Sequence, residues 1–235
     1  MLSRLGMKSR TLLTSALFGL TILSLCETAA AQESGFEAGL RTGYGVPFGE
    51  GAEDAQDISD AISGIIPLWI DVGYRVTPNV FVGAYFQYGL GFEGEDIEDA
   101  CDLDGIDCSV SSHRLGAQLH YHFSPRRSAD PWLGLGFGYE WYNAHVEAGD
   151  GELSASISGF EFANLQGGVD FYPGEHFYLG PFVSFSLDQY DSLDVECSGA
   201  GNEFCDGFGD GDIEDKSIHN WFVVGIRGGY TGFGR

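Results

Sequence analysis

Positive charge is what this sequence has least of. Of its 235 residues only 11 are lysine or arginine, against 35 aspartates and glutamates, a net charge of −24. Lys8 and Lys216 are the only lysines. So few bases cannot neutralise a phosphate backbone, which excludes nucleic acid as a partner. Also missing, after Gln32, is any apolar run approaching twenty residues, so no spanning helix is expected there. Charged residues of both signs make up 20% and hydrophobic residues 43%, which excludes a disordered acidic chain. Glycine is abundant, at 36 residues, and aromatics reach 14%. That pairing suits turns and crowded strands rather than helices.

Residues 1–31 read as a cleaved export signal. Arg4, Lys8 and Arg10 precede the apolar stretch Thr11–Leu25, and Ala29-Ala30-Ala31 supplies small residues for cleavage before Gln32. Cys26 invites comparison with a lipoprotein acceptor, but Leu25 precedes it where a small residue is expected. Residues 32–235 then form one domain. It holds four cysteines, Cys101, Cys108, Cys197 and Cys205. An even number in an exported chain suggests disulfides, with three connectivities open. The favoured one joins Cys101 to Cys108 and Cys197 to Cys205, each closing a small loop. The spacings are wide for a structural zinc site.

The rest of the chain repeats one pattern, a segment with period two followed by a turn or an acidic loop. Phe36, Ala38, Leu40, Thr42, Tyr44 and Val46 alternate with Glu37, Gly39, Arg41, Gly43 and Gly45. Similar alternation runs through Ile66–Val76, Val80–Leu90, His113–Phe123, Leu133–Trp141, Ala163–Phe171, Phe177–Leu187 and Phe222–Tyr230. Around Phe160-Glu161-Phe162 the phase breaks, which predicts a bulge. Short connections (77–79, 124–130, 173–175) alternate with long ones, roughly 47–64, 91–109, 146–154 and 189–217. The apolar faces carry no charged side chain apart from partly charged His113, and the opposite faces are rich in glycine. Together these predict an all-β chain: an eight-stranded antiparallel up-and-down transmembrane β-barrel, with short periplasmic turns and long acidic extracellular loops. Both termini then fall on the periplasmic side. A soluble barrel would need lysines on its outer face.

On this pattern the chain resembles the OmpA/OmpX/OmpW-like family of small outer-membrane barrels, over Gly35–Tyr230. The resemblance implies residence in the outer membrane of a Gram-negative-type cell. Two departures stand out. The chain ends Tyr230-Thr231-Gly232-Phe233-Gly234-Arg235 rather than on an aromatic residue, and no peptidoglycan-binding domain follows the barrel.

The expected lumen charges are Glu37, Arg41, Asp71, Arg75, Arg114, Glu140, Asp170 and Arg227, four acids and four arginines. Guanidinium forks suit carboxylates in a confined space, and unpaired they would be costly to desolvate. The plain reading is a packed polar plug, since eight strands leave only room for side chains. The sharper one is a gate whose ion pairs exchange partners. Of the 35 acids, 26 fall in the long connections, counted there from Asp188 onward, against Lys216 as the single base. Such loops should attract cations. Asp102, Asp104, Asp107, Asp206, Asp210 and Asp212 offer oxygen ligands for weak calcium binding, although neither cluster fits an EF-hand. His120 and His122 share the lumen face and suggest a metal pair, with no third ligand to name.

Catalysis would need a histidine beside a serine, oriented by a third group. Ser112-His113 comes closest, but adjacent strand residues point to opposite faces. His145 and His219 stand near strand tops with no serine partner evident. The expectation is therefore a non-enzymatic, monomeric barrel without cofactor, structural or surface-binding through its acidic loops. A narrow channel for ions or small, hydrophobic solutes is the alternative that an OmpW-like resemblance implies.

Overall fold

A computed structural model describes residues 34–49, 59, 62–94, 101, 106–125, 127–148, 151–198, 211–212 and 217–232. Residues 1–31, expected to be an export signal, and Cys205, Asp102, Asp104, Asp206 and Asp210 lie outside the described residues, as does the side chain of Asp212.

Eight long strands account for most of what is described. They are β1 (Gly35–Gly49), β2 (Ile62–Thr77), β3 (Val80–Glu93), β4 (Ile106–His122), β5 (Ala129–Ala148), β6 (Gly151–Phe171), β7 (Phe177–Ser198) and β9 (Ile218–Thr231). A two-residue strand, β8 (Gly211–Asp212), pairs with the outer part of β7. Each long strand pairs antiparallel with its neighbours in sequence, β7 with β9, and β9 closes on β1. Closure leaves no edge of unpaired backbone, which an apolar surround requires.

Closure also demands close backbone approach. Gly43 of β1 faces Gly225 of β9, and a Cβ on either would run into the other strand's backbone, at Val224 O or Thr42 O.

The period-two pattern sorts to the two faces as the residues dictate. Leu40 is 64% exposed, Phe137 63% and Ile226 57%, on an apolar outer surface, while Arg41, Gly43 and Arg227 turn inward. An exposed apolar band of this extent is the face a membrane solvates. Large rings fill the inside as well: Trp69, Tyr85, Trp132, Phe182 and Val223 form one buried cluster, and Trp221, Tyr142 and Tyr190 join Ile62, Ile65 and Val110 in another. Glycine on the inner face makes room for them. A Cβ at Gly134 would meet the His120 ring, and one at Gly168 would meet Trp132.

The strands bear out one reading of the pattern and correct another. The phase break in β6 is a bulge: the β6–β7 register slips between Glu161 and Ala163, and the β5–β6 register between Gly136 and Gly138. Leu165 is thereby outward while Glu161 points in. Of the stretches read above as long loops, 146–154 is ladder instead, and so is 189–198 at the start of 189–217. Ala148 pairs with Gly151, so only residues 149–150 remain between β5 and β6. Strands β5, β6 and β7, at 20, 21 and 22 residues, are twice what the hydrocarbon core needs, about 9–11 residues. The ladder therefore continues as a hairpin past the membrane.

Cys101 and Cys108 form a disulfide with Cα atoms 5.9 Å apart, fastening the segment before β4 to that strand. Cys197, near the end of β7, is also disulfide-bonded.

Candidate functional site

The lumen holds the chemistry of the described residues. All eight expected charges lie inside it, none more than 4% exposed. Alternation supplies them. Glu37 and Arg41 sit on the inner face of β1, Asp71 and Arg75 on that of β2, Arg114 on β4, Glu140 on β5, Asp170 on β6 and Arg227 on β9.

They form three tiers. Nearest the short turns, Arg75 meets Glu37 at 2.7 Å and Asp130 at 3.9 Å, and Arg227 meets Asp170 at 3.1 Å and Glu37 at 3.7 Å. His122 Nδ1 stands 2.9 Å from Asp130. In the middle tier Arg41 donates to Asp71 at 2.7 Å and to Gln166 at 2.6 Å, and Gln118 also donates to Asp71. The outer tier is built on Arg114, which reaches Glu140 at 2.9 Å, Glu161 at 3.0 Å and Asp188 at 3.5 Å.

Aromatic rings lie against the cations. Arg41 lies over Trp69 at 4.7 Å, and Arg227 over Trp132 at 4.1 Å and Tyr178 at 4.8 Å. Cation–π contact of this kind offsets lost hydration where water is excluded.

The neutral set of four and four is incomplete. Asp130, Glu161 and Asp188 are also buried in the lumen, with His120, His122 and His219. The balance is seven carboxylates against four arginines and three histidines. Asp188, counted with the loop acids above, continues the inner face of β7 after Ser184 and Ser186. Asp130 continues that of β5 below Trp132. Extending β7 by one alternation finds Asp188, and extending β5 by two finds Asp130. Glu161 needs the bulge, which the sequence signals only as a break in phase.

The remaining expected residues fall as follows. Asp107 lies exposed on β4. His120 is stacked on Trp132 at 4.8 Å and hydrogen-bonds Gln118, while His122 is engaged with Asp130 and 3.2 Å from Arg75. Both belong to the polar packing rather than to a shared two-histidine centre. Ser112 is buried inside while His113 packs outside against Tyr88 and Phe86, so the adjacent pair is split.

His145 does have a serine partner. Its Nδ1 is 2.8 Å from Ser154 Oγ, and its Nε2 is 3.0 Å from Glu147. The two residues are direct cross-strand partners of β5 and β6. The imidazole side chain is 32% exposed and Glu147 61%, so nothing excludes water from the group. It is a ladder contact between neighbours.

The family model for the outer membrane protein β-barrel domain matches residues 15–201. Among solved structures, the neisserial surface protein NspA is 11% identical, with a TM-score of 0.46, over 84% of this chain and 96% of its own. A major outer membrane protein of Thermus thermophilus is 10% identical, with a TM-score of 0.48, over 84% and 99%. The attachment invasion locus protein Ail of Yersinia pestis is 14% identical, with a TM-score of 0.42, over 84% and 97%. No curated protein matches the chain.

Proposed function

This chain belongs to the outer membrane protein β-barrel family, and from that premise we propose that it works without catalysis, as a stoppered barrel that presents binding loops. The observation that carries the reading is the lumen itself. Four arginines are held by carboxylates at 2.7–3.1 Å and lie 2% exposed or less, so the interior is occupied by its own side chains. An eight-stranded ring has little more room than that. Specificity then rests, in this reading, on the outward extensions of β5, β6 and β7, the disulfide-fastened segment before β4, and the acidic sequence that connects β1 to β2, β3 to β4 and β7 to β9.

In this reading the short turns and both termini are periplasmic, the acidic loops face outward from the cell, and the barrel is a monomer. The loops would attract divalent or organic cations and cationic surface ligands by charge.

The test compares proteoliposomes that carry the full chain with others in which Asp102, Asp104, Asp107, Asp206, Asp210 and Asp212 are replaced by asparagine. A fluorescent polylysine probe should bind the first and bind the second several-fold more weakly, with salt weakening both. Equal binding to the two would remove the loops as the functional surface. The narrow-channel reading would then stand as the alternative.

A further inference from the structure

The outer tier of the lumen is not electrically closed. Arg114 is its one guanidinium, facing Glu140, Glu161 and Asp188, and all four side chains are 2% exposed or less. Counted with all three carboxylates ionised and the histidine neutral, that is an excess of two negative charges, where uncompensated charge is most costly. The donor atoms that Arg114 does not engage converge on one place. It takes Glu140 Oε1, leaving Oε2 3.4 Å from His219 Nε2. Asp188 presents Oδ2 to Arg114 and Ser186, whereas its Oδ1 is buried with no hydrogen-bond partner. Glu140, Asp188 and His219 each bring a ligand atom within 4.8 Å of the others, and all three are buried.

The backbone fixes this arrangement. Asp188 and His219 are direct partners in the β7–β9 ladder, and Glu140 reaches across from β5. Tyr190 stacks on the His219 imidazole with ring centroids 4.0 Å apart, which sets the plane of the ring.

We propose that Glu140, Asp188 and His219 bind one divalent transition-metal cation at the outer end of the lumen. One imidazole nitrogen and two carboxylates suit zinc-like ions better than calcium or magnesium, which take oxygen alone. A charge of +2 cancels the surplus that Arg114 leaves. Zinc bonds of about 2.0–2.2 Å require the trio to draw slightly together, with one coordination position left for water. This is a different chemistry from the loop aspartates, which offer oxygen only. It also differs from His120 and His122, which are packed in the inner tier.

The experiment uses the full-length protein, folded in detergent and stripped with a chelator. Co2+ is followed by its visible absorption and Zn2+ by calorimetry. One Zn2+ per barrel should bind, and Co2+ should give nitrogen-and-oxygen-ligated bands that Zn2+ displaces. Asp188→Asn and Glu140→Gln should each weaken binding at least tenfold, and His219→Gln should abolish the Co2+ bands. The triple loop variant Asp102→Asn, Asp104→Asn, Asp107→Asn should bind as the wild type does. Folding of each variant is checked by the mobility of unboiled samples. If a lumen variant does not fold, the wild-type stoichiometry and Co2+ spectrum decide. Failure of the wild type to take up Zn2+ saturably would overturn the proposal, because protons would then be what neutralises the tier. Loss of binding in the loop variant, with lumen variants unaffected, would overturn it too.

Discussion

At the scale of single residues, the physics is that of charge without water. Arg114 holds three carboxylates, so Arg114→Met should destabilise the barrel by about 3–5 kcal/mol, the cost of leaving buried charge unpaired. Glu175→Ala, on an exposed turn residue, should change stability by less than about 0.5 kcal/mol. Urea unfolding in lipid vesicles checks both, and similar effects for the two would contradict the assignment. Gly43 has the opposite problem, too little space. Gly43→Ala presses a methyl into the β9 backbone and should cost about 1–3 kcal/mol as over-packing, read in the same assay. The sequence made the inward side of each residue legible, because alternation alone decides it. It could not show who pairs with whom. Arg41 meets Gln166, 125 positions away, and that contact depends on strand stagger and lumen width rather than on any local signal.

At the scale of elements, legibility ends where the membrane does. Within the bilayer one face must be apolar, so strands announce themselves. Beyond it both faces are wet, and the stretch 146–154 mixes two glycines, three acids and a serine with only three apolar residues, too few to announce a ladder. That is why the β5–β6 hairpin reads as a loop in the sequence. The Glu161 bulge was visible only as a fault in the pattern. Two outcomes follow for these elements. A protease site inserted between residues 149 and 150 should be cut by enzyme added to intact cells; protection there, with cutting only after lysis, would reverse the orientation. Reducing the Cys101–Cys108 disulfide should leave the folded gel mobility unchanged while making the segment before β4 protease-sensitive. Closing so short a loop constrains that segment by about 2–3 kcal/mol but touches none of the barrel's ladder. Unfolding of the whole barrel on reduction would show the disulfide to be part of the core.

At the scale of the molecule, one ring separates two solvents. Its outer wall is apolar and its interior is a filled polar core. The composition that excludes nucleic acid follows from this division. Lysine has no place on a face turned to lipid, and arginine is placed where carboxylates need a fork. The fold was largely legible because the division repeats in every strand. The outer-tier trio was not, since Asp188 comes just after the alternation read as Phe177–Leu187 and His219 just before that read as Phe222–Tyr230, although both lie within strands. The most direct test of the stoppered lumen is single-channel recording of the purified barrel in a planar bilayer. A closed interior predicts no discrete openings in the wild type, and none in Arg114→Met wherever that variant still folds. Reproducible openings in the wild type that change with replacement of Arg41, Arg75, Arg114 and Arg227 would contradict it and make the lumen a path.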